Sequence, residues 1–503
     1  MKKKSILLFP SILALFIGLI PVIKYSFPLT WDIYYHLHLI NLYMTNGIIF
    51  WDPFTVSPIG RAIQYPPLYH LLIVELSKLT NIIPLNIIRL LQPIFAFSLI
   101  LTITTITARI YDNQTGLITG ILSLFTFVII NRAIISTPAT LAIIFSLLTI
   151  YFYYNYLINT KQNDIILSTI FLGLLINTHL FTTLLTIGIL GLYTIIFIYT
   201  TKKRITYKQL KIPLLIFIIS TLWWCISIFK YGYITNPIKG NNIDLITYFI
   251  KYMGIIPTVL SIYGLYKIRS KYKSPQFMLL IVWIISLTLL SFTKYLGLNI
   301  VPIRILELIS YPIIILAAIG FKKIITKKNI IKYANVLIII LLIVSTITSI
   351  TIVDSYTPNL SKEGETNLLI DYNVHKIIDP IGTIYKPTII TDRFQDMSLS
   401  EDRLDILYWF KHHPTNDLIV SEDSIMDTII VSNTNASVVY GGYTETIPDY
   451  VLDPIHIIYN KSTRNELADL NIKYLLLKED TPVPNYSQEV YKNNHYKICE
   501  IRI

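Results

Sequence analysis

"TWDIYYHLHLINLYMTNGIIFWDPFTVSPIGRAIQYPPLYH", residues 30–70, follows the first apolar run of a 503-residue chain. It carries Asp32, Asp52, His36, His38, His70 and a concentration of Tyr and Trp. A simple anchor needs no such stretch, so its meaning depends on what surrounds it. The chain is 53% hydrophobic and 14% charged, against about 25% charged in an average soluble domain. The apolar residues gather in runs of about 16–25, the length that crosses about 30 Å of hydrocarbon. This is the pattern of a polytopic α-helical membrane protein.

Spans are expected at 5–24, 84–108, 115–131, 138–158, 165–177, 181–200, 211–229, 247–266, 276–293, 303–320 and 334–353, about eleven in all. The basic head and long apolar core at the start, with no small-residue cleavage site, read as an uncleaved first span. Residues 1–353 hold 29 Lys+Arg and 7 Asp+Glu, a net of +22, whereas 354–503 hold 13 and 23, a net of −10. The overall +12 therefore comes from short membrane loops and carries no nucleic-acid signal. Lys2-Lys3-Lys4, Arg109, Lys161, 201–211, 267–275 and 321–332 hold 19 of those 29 basic residues and fall on every second connection. That alternation places the N-terminus in the cytoplasm and the tail outside. The two cysteines, Cys225 and Cys499, have no plausible partner, which argues against disulfides and Cys-based metal sites.

Two regions are then extracytoplasmic: a first loop (25–83) and the tail (354–503). Within the loop, "YPPLYHLLIVELSKLT" (65–80) is short and carries His70, Glu75 and Lys78. Mid-membrane charges cost about 2.5–3.5 kcal/mol each on insertion scales, so an interfacial amphipathic helix is expected. In the tail, 404–413 and 461–470 have helical spacing, while 417–423, 427–433 and 472–480 read as strands. This is an α/β domain without a Gly-rich phosphate loop or a metal-spaced His/Cys set. Asn-x-Ser/Thr triplets at Asn435, Asn460 and Asn485 either fit an outside location or arise by chance in Asn-rich sequence.

Few carboxylates lie in the membrane part. Asp32 follows a span among Trp31, Tyr34 and Tyr35, where partial desolvation raises basicity and suits a general base. It equally suits an N-cap. His36 shares a helix face with it at i+4.

"WDIYYHLHLI…GIIFWDPFTVSPIGRAIQYPPLYHLL" resembles the first outer loop of GT-C glycosyltransferases, and most of all that of the oligosaccharyltransferase catalytic subunit and its archaeal relatives. Asp32, Tyr34, Tyr35, His36, Asp52, Pro53, Pro66 and Pro67 carry the likeness. "VPIRILELISYPIIILAAIG" (301–320) is similar to the late span whose Arg holds the lipid phosphate, a place taken here by Arg304. The tail is similar to outer domains of archaeal members through "LDILYWFKHHPTNDLIVSED" and "LADLNIKYLLLKED". The resemblance implies sugar transfer from a polyprenyl-phosphate donor at the outer face, with Asp32 as base. His36, Asp52, Arg132, Arg304 and Glu307 become candidates for holding substrate. Arg304 and Glu307 also read as an interfacial i,i+3 pair, and Asp52-Pro53 as a turn.

The sequence departs from that family in three places. Ser136, Thr137, Pro138, Ala139 and Thr140 follow Arg132 where the second acidic motif is expected. The outer loop at 294–302 is short, and the Trp-Trp-Asp acceptor motif is absent, Trp223-Trp224 being followed by Cys225. Mg²⁺ or Mn²⁺ commonly takes two or more carboxylates, so the expectation is a metal-independent enzyme with no cofactor. A degenerate homologue that binds lipid-linked glycans without turnover is the first alternative. A transporter is the second, although no paired broken helices in two halves support it.

Overall fold

The computed structural model describes residues 5–28, 30, 32–203, 207–232, 253–292, 302–354, 400–434, 436–441, 457–458 and 470–502. The side chains of 302–304 and the tail segments at Asn435, Asn460 and 461–469 lie outside the described residues, as does Asp244.

The first apolar run forms α1 (Phe9–Lys24) behind a 3₁₀ turn (Ile6–Leu8). Then come α2 (Asp32–Asn46), a two-stranded ribbon of β1 (Trp51–Asp52) and β2 (Arg61–Ala62), and α3 (Leu68–Thr80). The apolar helices that follow are α4 (Pro84–Ile110), α5 (Asn113–Phe125), α6 (Phe127–Ala133), α7 (Pro138–Asn159), α8 (Gln162–Ile176), α9 (Leu180–Thr201) and α10 (Lys211–Tyr231). The last four are α11 (Ile255–Ile268), α12 (Pro275–Ser291), α13 (Pro302–Ile325) and α14 (Ala334–Asp354). Among the described residues seven helices are long and apolar enough to cross a membrane, or eight if a bent pair counts as one span. The chain is thus an integral membrane protein.

That bent pair corrects the expected span at 115–131. α5 and α6 meet at 83°. Neither Pro nor Gly stands at the break. Thr126 is extended there (φ −93°, ψ 114°), its hydroxyl donates to Leu122 O at 2.9 Å, and its carbonyl accepts from Ile129 and Ile130. The bend buries all of α6 and carries Arg132 toward α13. α13 is in turn seated on α11 by two glycines. A methyl group on Gly264 would overlap Leu316 O, and one on Gly320 would overlap Leu260 O, so only small residues permit this crossing.

The tail folds as α15 (Glu401–His412), β3 (Leu418–Ser421), α16 (Ser424–Asn433), β4 (Ser437–Val438), β5 (Ile472–Lys478), β6 (Ser487–Lys492) and β7 (Tyr496–Ile501). The strands form one mixed sheet in the order β4-β3-β5-β7-β6. Here the strand expected at 427–433 is a helix. The Asp423 carboxylate accepts from Ile425 N at 2.9 Å and Met426 N at 3.4 Å, which starts α16. The β-branched run behind it is buried on all sides, because α16 lies between the sheet and α2.

The tail is joined to the first loop. Val438 N donates to Phe54 O at 2.9 Å, Ser57 N to Val438 O at 3.1 Å and Val56 N to Tyr440 O at 3.2 Å. Asn41 Nδ2 donates to Ser432 O at 2.9 Å. Ile33, Tyr34 and Tyr69 share one apolar cluster with Ile406, Phe410, Met426 and Ile430.

Asp427 is fully buried on α16. Burial, with the charge of Asp423, pushes its carboxyl well above the usual range against the pull of the Tyr440 amide. A raised folded-state pKa gives stability that is fully present below about pH 3.9 and is lost as pH rises through the raised value. We expect the melting temperature of the purified chain to fall as pH rises from 4 to 9, and Asp427→Asn to flatten that slope.

Candidate functional site

Two basic residues fix the path into the site. Arg89 on α4 donates to Val22 O at 2.6 Å and Tyr25 O at 2.7 Å, closing the last turn of α1. Arg61 is fully buried, 5.4 Å from the Tyr35 ring centroid. Sequence reading passed over both. The available signal was that each falls in or beside the loop expected to lie outside, against the charge rule that places Lys and Arg inside.

Asp32 opens α2, part-exposed, and no described residue donates a hydrogen bond to its carboxylate. Two residues before it, Thr30 has φ +83°, and Val56 near Asp52 has φ +55°. Both are β-branched residues in the left-handed region. Such strain costs about 1–3 kcal/mol each and gathers at functional sites.

Asp52 is 1% exposed and fully engaged: Oδ2 meets His38 Nε2 at 3.0 Å and accepts from Thr55 Oγ1 at 2.5 Å, and Oδ1 accepts from Phe54 N at 2.9 Å. Burial acts to raise its pKa, but His38 and these donors outweigh it and hold the carboxyl below the usual range. The structure thus places Asp52 as the anchor of the loop, as the turn reading expected.

His36 lies deeper. Its Nδ1 is 3.0 Å from His70 Nε2, and Tyr65 packs edge-on at 4.8 Å between ring centroids. Burial pushes His70 down to about 3, so it is a neutral partner. Beside it, Tyr69 OH donates to Ser136 O at 2.6 Å. Ser136 lies in the turn after α6, where Arg132 donates to Thr137 Oγ1 at 3.4 Å and to Glu307 Oε1. The side chains of Arg132 and Glu307 are each 8% exposed.

The structure therefore links His36, Arg132 and Glu307 through His70, Tyr69 and Ser136 in one buried wall, while Asp52 is held by His38 and its own turn. Glu307 pairs with Arg132, from another helix, which the i,i+3 reading did not foresee. Arg304 begins α13, one turn earlier. Glu307 also supplies a carboxylate beside the segment where the second acidic motif is missing. Trp223 stacks on Phe50 at 4.4 Å and is a packing residue. Among the described residues no three His, Cys, Asp or Glu are grouped to hold a metal, and Asp52 is already spent. The residues described here do not fit a carboxylate-rich Mg²⁺ or Mn²⁺ site.

A family model, dolichyl-phosphate-mannose-protein mannosyltransferase, matches residues 64–224. No curated protein sequence matches the chain significantly. Among solved structures, the oligosaccharyltransferase AglB from Archaeoglobus fulgidus, in complex with an inhibitory peptide and a dolichol-phosphate, is 12% identical with a TM-score of 0.60, over 95% of this chain and 69% of that one. ArnT from Cupriavidus metallidurans, bound to undecaprenyl phosphate, is 11% identical with a TM-score of 0.63, over 98% of this chain and 97% of that one. The chain has the GT-C fold. The arabinofuranosyltransferase AftD from Mycobacteria is also similar, at 14% identity and a TM-score of 0.57 over 99% of this chain and 40% of that one. The family model covers about a third of the chain, and the shared fold is the one that the resemblance in the first loop led us to expect.

Breaking a buried pair by removing one partner costs about 3–5 kcal/mol, whereas replacing both with apolar residues is often neutral. Glu307→Leu is therefore expected to destabilise the chain by about 3–5 kcal/mol, and Arg132→Met with Glu307→Leu to recover most of the loss. A double-mutant cycle on unfolding in detergent measures both.

Proposed function

We propose that the chain moves a sugar from a polyprenyl-phosphate-linked donor to an acceptor hydroxyl at the outer membrane face. The observation that carries this reading is the open, part-exposed Asp32 carboxylate at the head of a buried helix, beside a strained backbone and against apolar spans. Asp32 takes the acceptor's proton as its oxygen attacks the sugar carbon. The carbon–phosphate-oxygen bond breaks, and the lipid phosphate leaves with the electron pair. One base and direct displacement give inversion at that carbon. A positioned base contributes about 10²–10⁴-fold.

Arg132 is committed to Glu307, so Arg304 is the proposed phosphate ligand, suited by its bidentate geometry. His36, paired with His70, holds the buried wall that leads to Arg132. No step is routed through a metal. The description of the matching family and the lipid phosphates bound to AglB and ArnT support the donor class.

The proposed topology has eleven spans in a unit of residues 1–353, with α5 and α6 as one, the N-terminus cytoplasmic and the tail (354–503) outside. The gathering of Lys and Arg in 201–211, 267–275 and 321–332, on alternate connections, supports it. Asn485 is exposed, as an outward sequon requires.

The test is transfer from a panel of polyprenyl-phosphate sugars by purified wild type and Asp32→Asn, with and without EDTA. We expect activity in the wild type, a loss of at least about 10²-fold in the variant, and resistance to EDTA. Unchanged transfer by Asp32→Asn overturns the base assignment. Loss with EDTA overturns the metal-free reading. Lipid-linked glycan binding without turnover by the wild type supports the degenerate alternative.

A further inference from the structure

A cavity of about 820 Å³ lies along the second half of α2, bounded by the start of α4 and the ends of α15 and α16. Small-ligand sites span about 300–1,000 Å³. Asp32 is not among its walls. Nine residues of helix, about 14 Å at 1.5 Å per residue, separate Asp32 from Asn41 in the cavity wall. The space is therefore distinct from the proposed reacting centre but shares its helix.

The lining has a definite chemistry. Three helices present their C-terminal ends: α2 at Asn46, α15 at Lys411 and α16 at Asn433. Their side-chain donors are turned inward onto backbone. Asn41 Nδ2 donates to Ser432 O at 2.9 Å, Asn433 Nδ2 to Ile429 O at 3.0 Å and Asn46 Nδ2 to Leu42 O at 3.3 Å. The hydroxyls of Thr45 and Thr434 likewise donate to Asn41 O and Ile430 O. The polar lining is made of the amides of Asn41, Asn46 and Asn433, the hydroxyls of Thr45, Ser432 and Thr434, and His38 and Lys411, and an amide or hydroxyl oxygen whose group has already given its proton is left as an acceptor. Among the described residues no Asp or Glu lines it, and Lys411 is its one lysine or arginine.

Helix C-termini carry partial negative charge and disfavour an anion. One lysine and the single N-terminus of α4 do not reverse that balance. A phosphate or carboxylate ligand is therefore the wrong chemistry. A ligand rich in O–H donors, with C–H faces to lay on Leu37, Met44 and Phe54, is the right one.

We propose that this cavity is a saccharide subsite that holds an uncharged glycan, the part of the acceptor beyond the reacting sugar. The role as acceptor rests on the glycosyltransferase reading above, whereas the binding itself does not. An acceptor bound here lies along α2, between the loop and the tail that clips onto it. Joining the loop to the tail also joins the wall that carries Asp32 to the wall that would grip the glycan.

The experiment uses the full chain in phosphatidylcholine nanodiscs and saturation-transfer NMR titrations with neutral trisaccharides of mannose, glucose and N-acetylglucosamine, and with glycerol phosphate. At least one trisaccharide is expected to bind wild type and Asp32→Asn alike. That arm separates this proposal from the catalytic one. Asn433→Leu and Asn46→Leu are expected to weaken binding by about tenfold or more, or about 1.4 kcal/mol. Asn46 is exposed, so its variant keeps the fold, which an unchanged melting temperature verifies. Absence of trisaccharide binding to the wild type overturns the proposal. Equal binding by both variants overturns it too, as does saturable glycerol phosphate binding without trisaccharide binding.

Discussion

The structure depends on keeping a polar helix buried. Of the 15 residues of α2, 10 are buried, among them two histidines and three tyrosines. A buried polar group without a partner costs about 1–3 kcal/mol; the Tyr34 and Tyr43 hydroxyls find none among the described residues, whereas the two histidines and Asn41 do. His70 from α3 meets His36, Asp52 meets His38, and the carbonyl of Ser432 meets Asn41. These partners come from the loop on two sides and from the tail on a third. The loop takes its shape from this requirement, and the tail is held against it by the same helix.

The exposed head of the helix is the exception. Asp32 has no donor among the described residues, while Asp52, on the same loop, has three. Two carboxylates near each other in sequence thus stand in opposite states. One is satisfied and low in pKa. The other is part-exposed at the start of its helix. A similar division holds for the cations. Arg132 is neutralised by Glu307, and Arg61 and Arg89 bind the scaffold. The proposed function follows from what remains uncommitted at this face, not from a count of charged residues.

Much of this was legible in the sequence. Long apolar runs fall where the helices lie because lipid forces backbone groups to bond internally. The Asp-Pro turn and the short amphipathic α3 were legible from local chemistry. The break at Thr126 was not, because it lacks the Pro or Gly that marks one. Residues 427–433 read as a strand because β-branched residues favour strands, yet a single capping carboxylate and burial on every side made them a helix. The Arg132–Glu307 pair joins residues 175 apart, and no local period encodes it. The C-terminal hairpin was missed although Asn493 marks its turn, accepting from Tyr496 N at 2.8 Å.

The central claim is that one open carboxylate drives a direct displacement at the sugar carbon. The measurement that tests it most directly is the anomeric configuration of the product, determined by NMR, from a polyprenyl-phosphate donor of known configuration. Inversion is the result this account predicts. Retention would require a covalent glycosyl intermediate and a second catalytic group, and would contradict it.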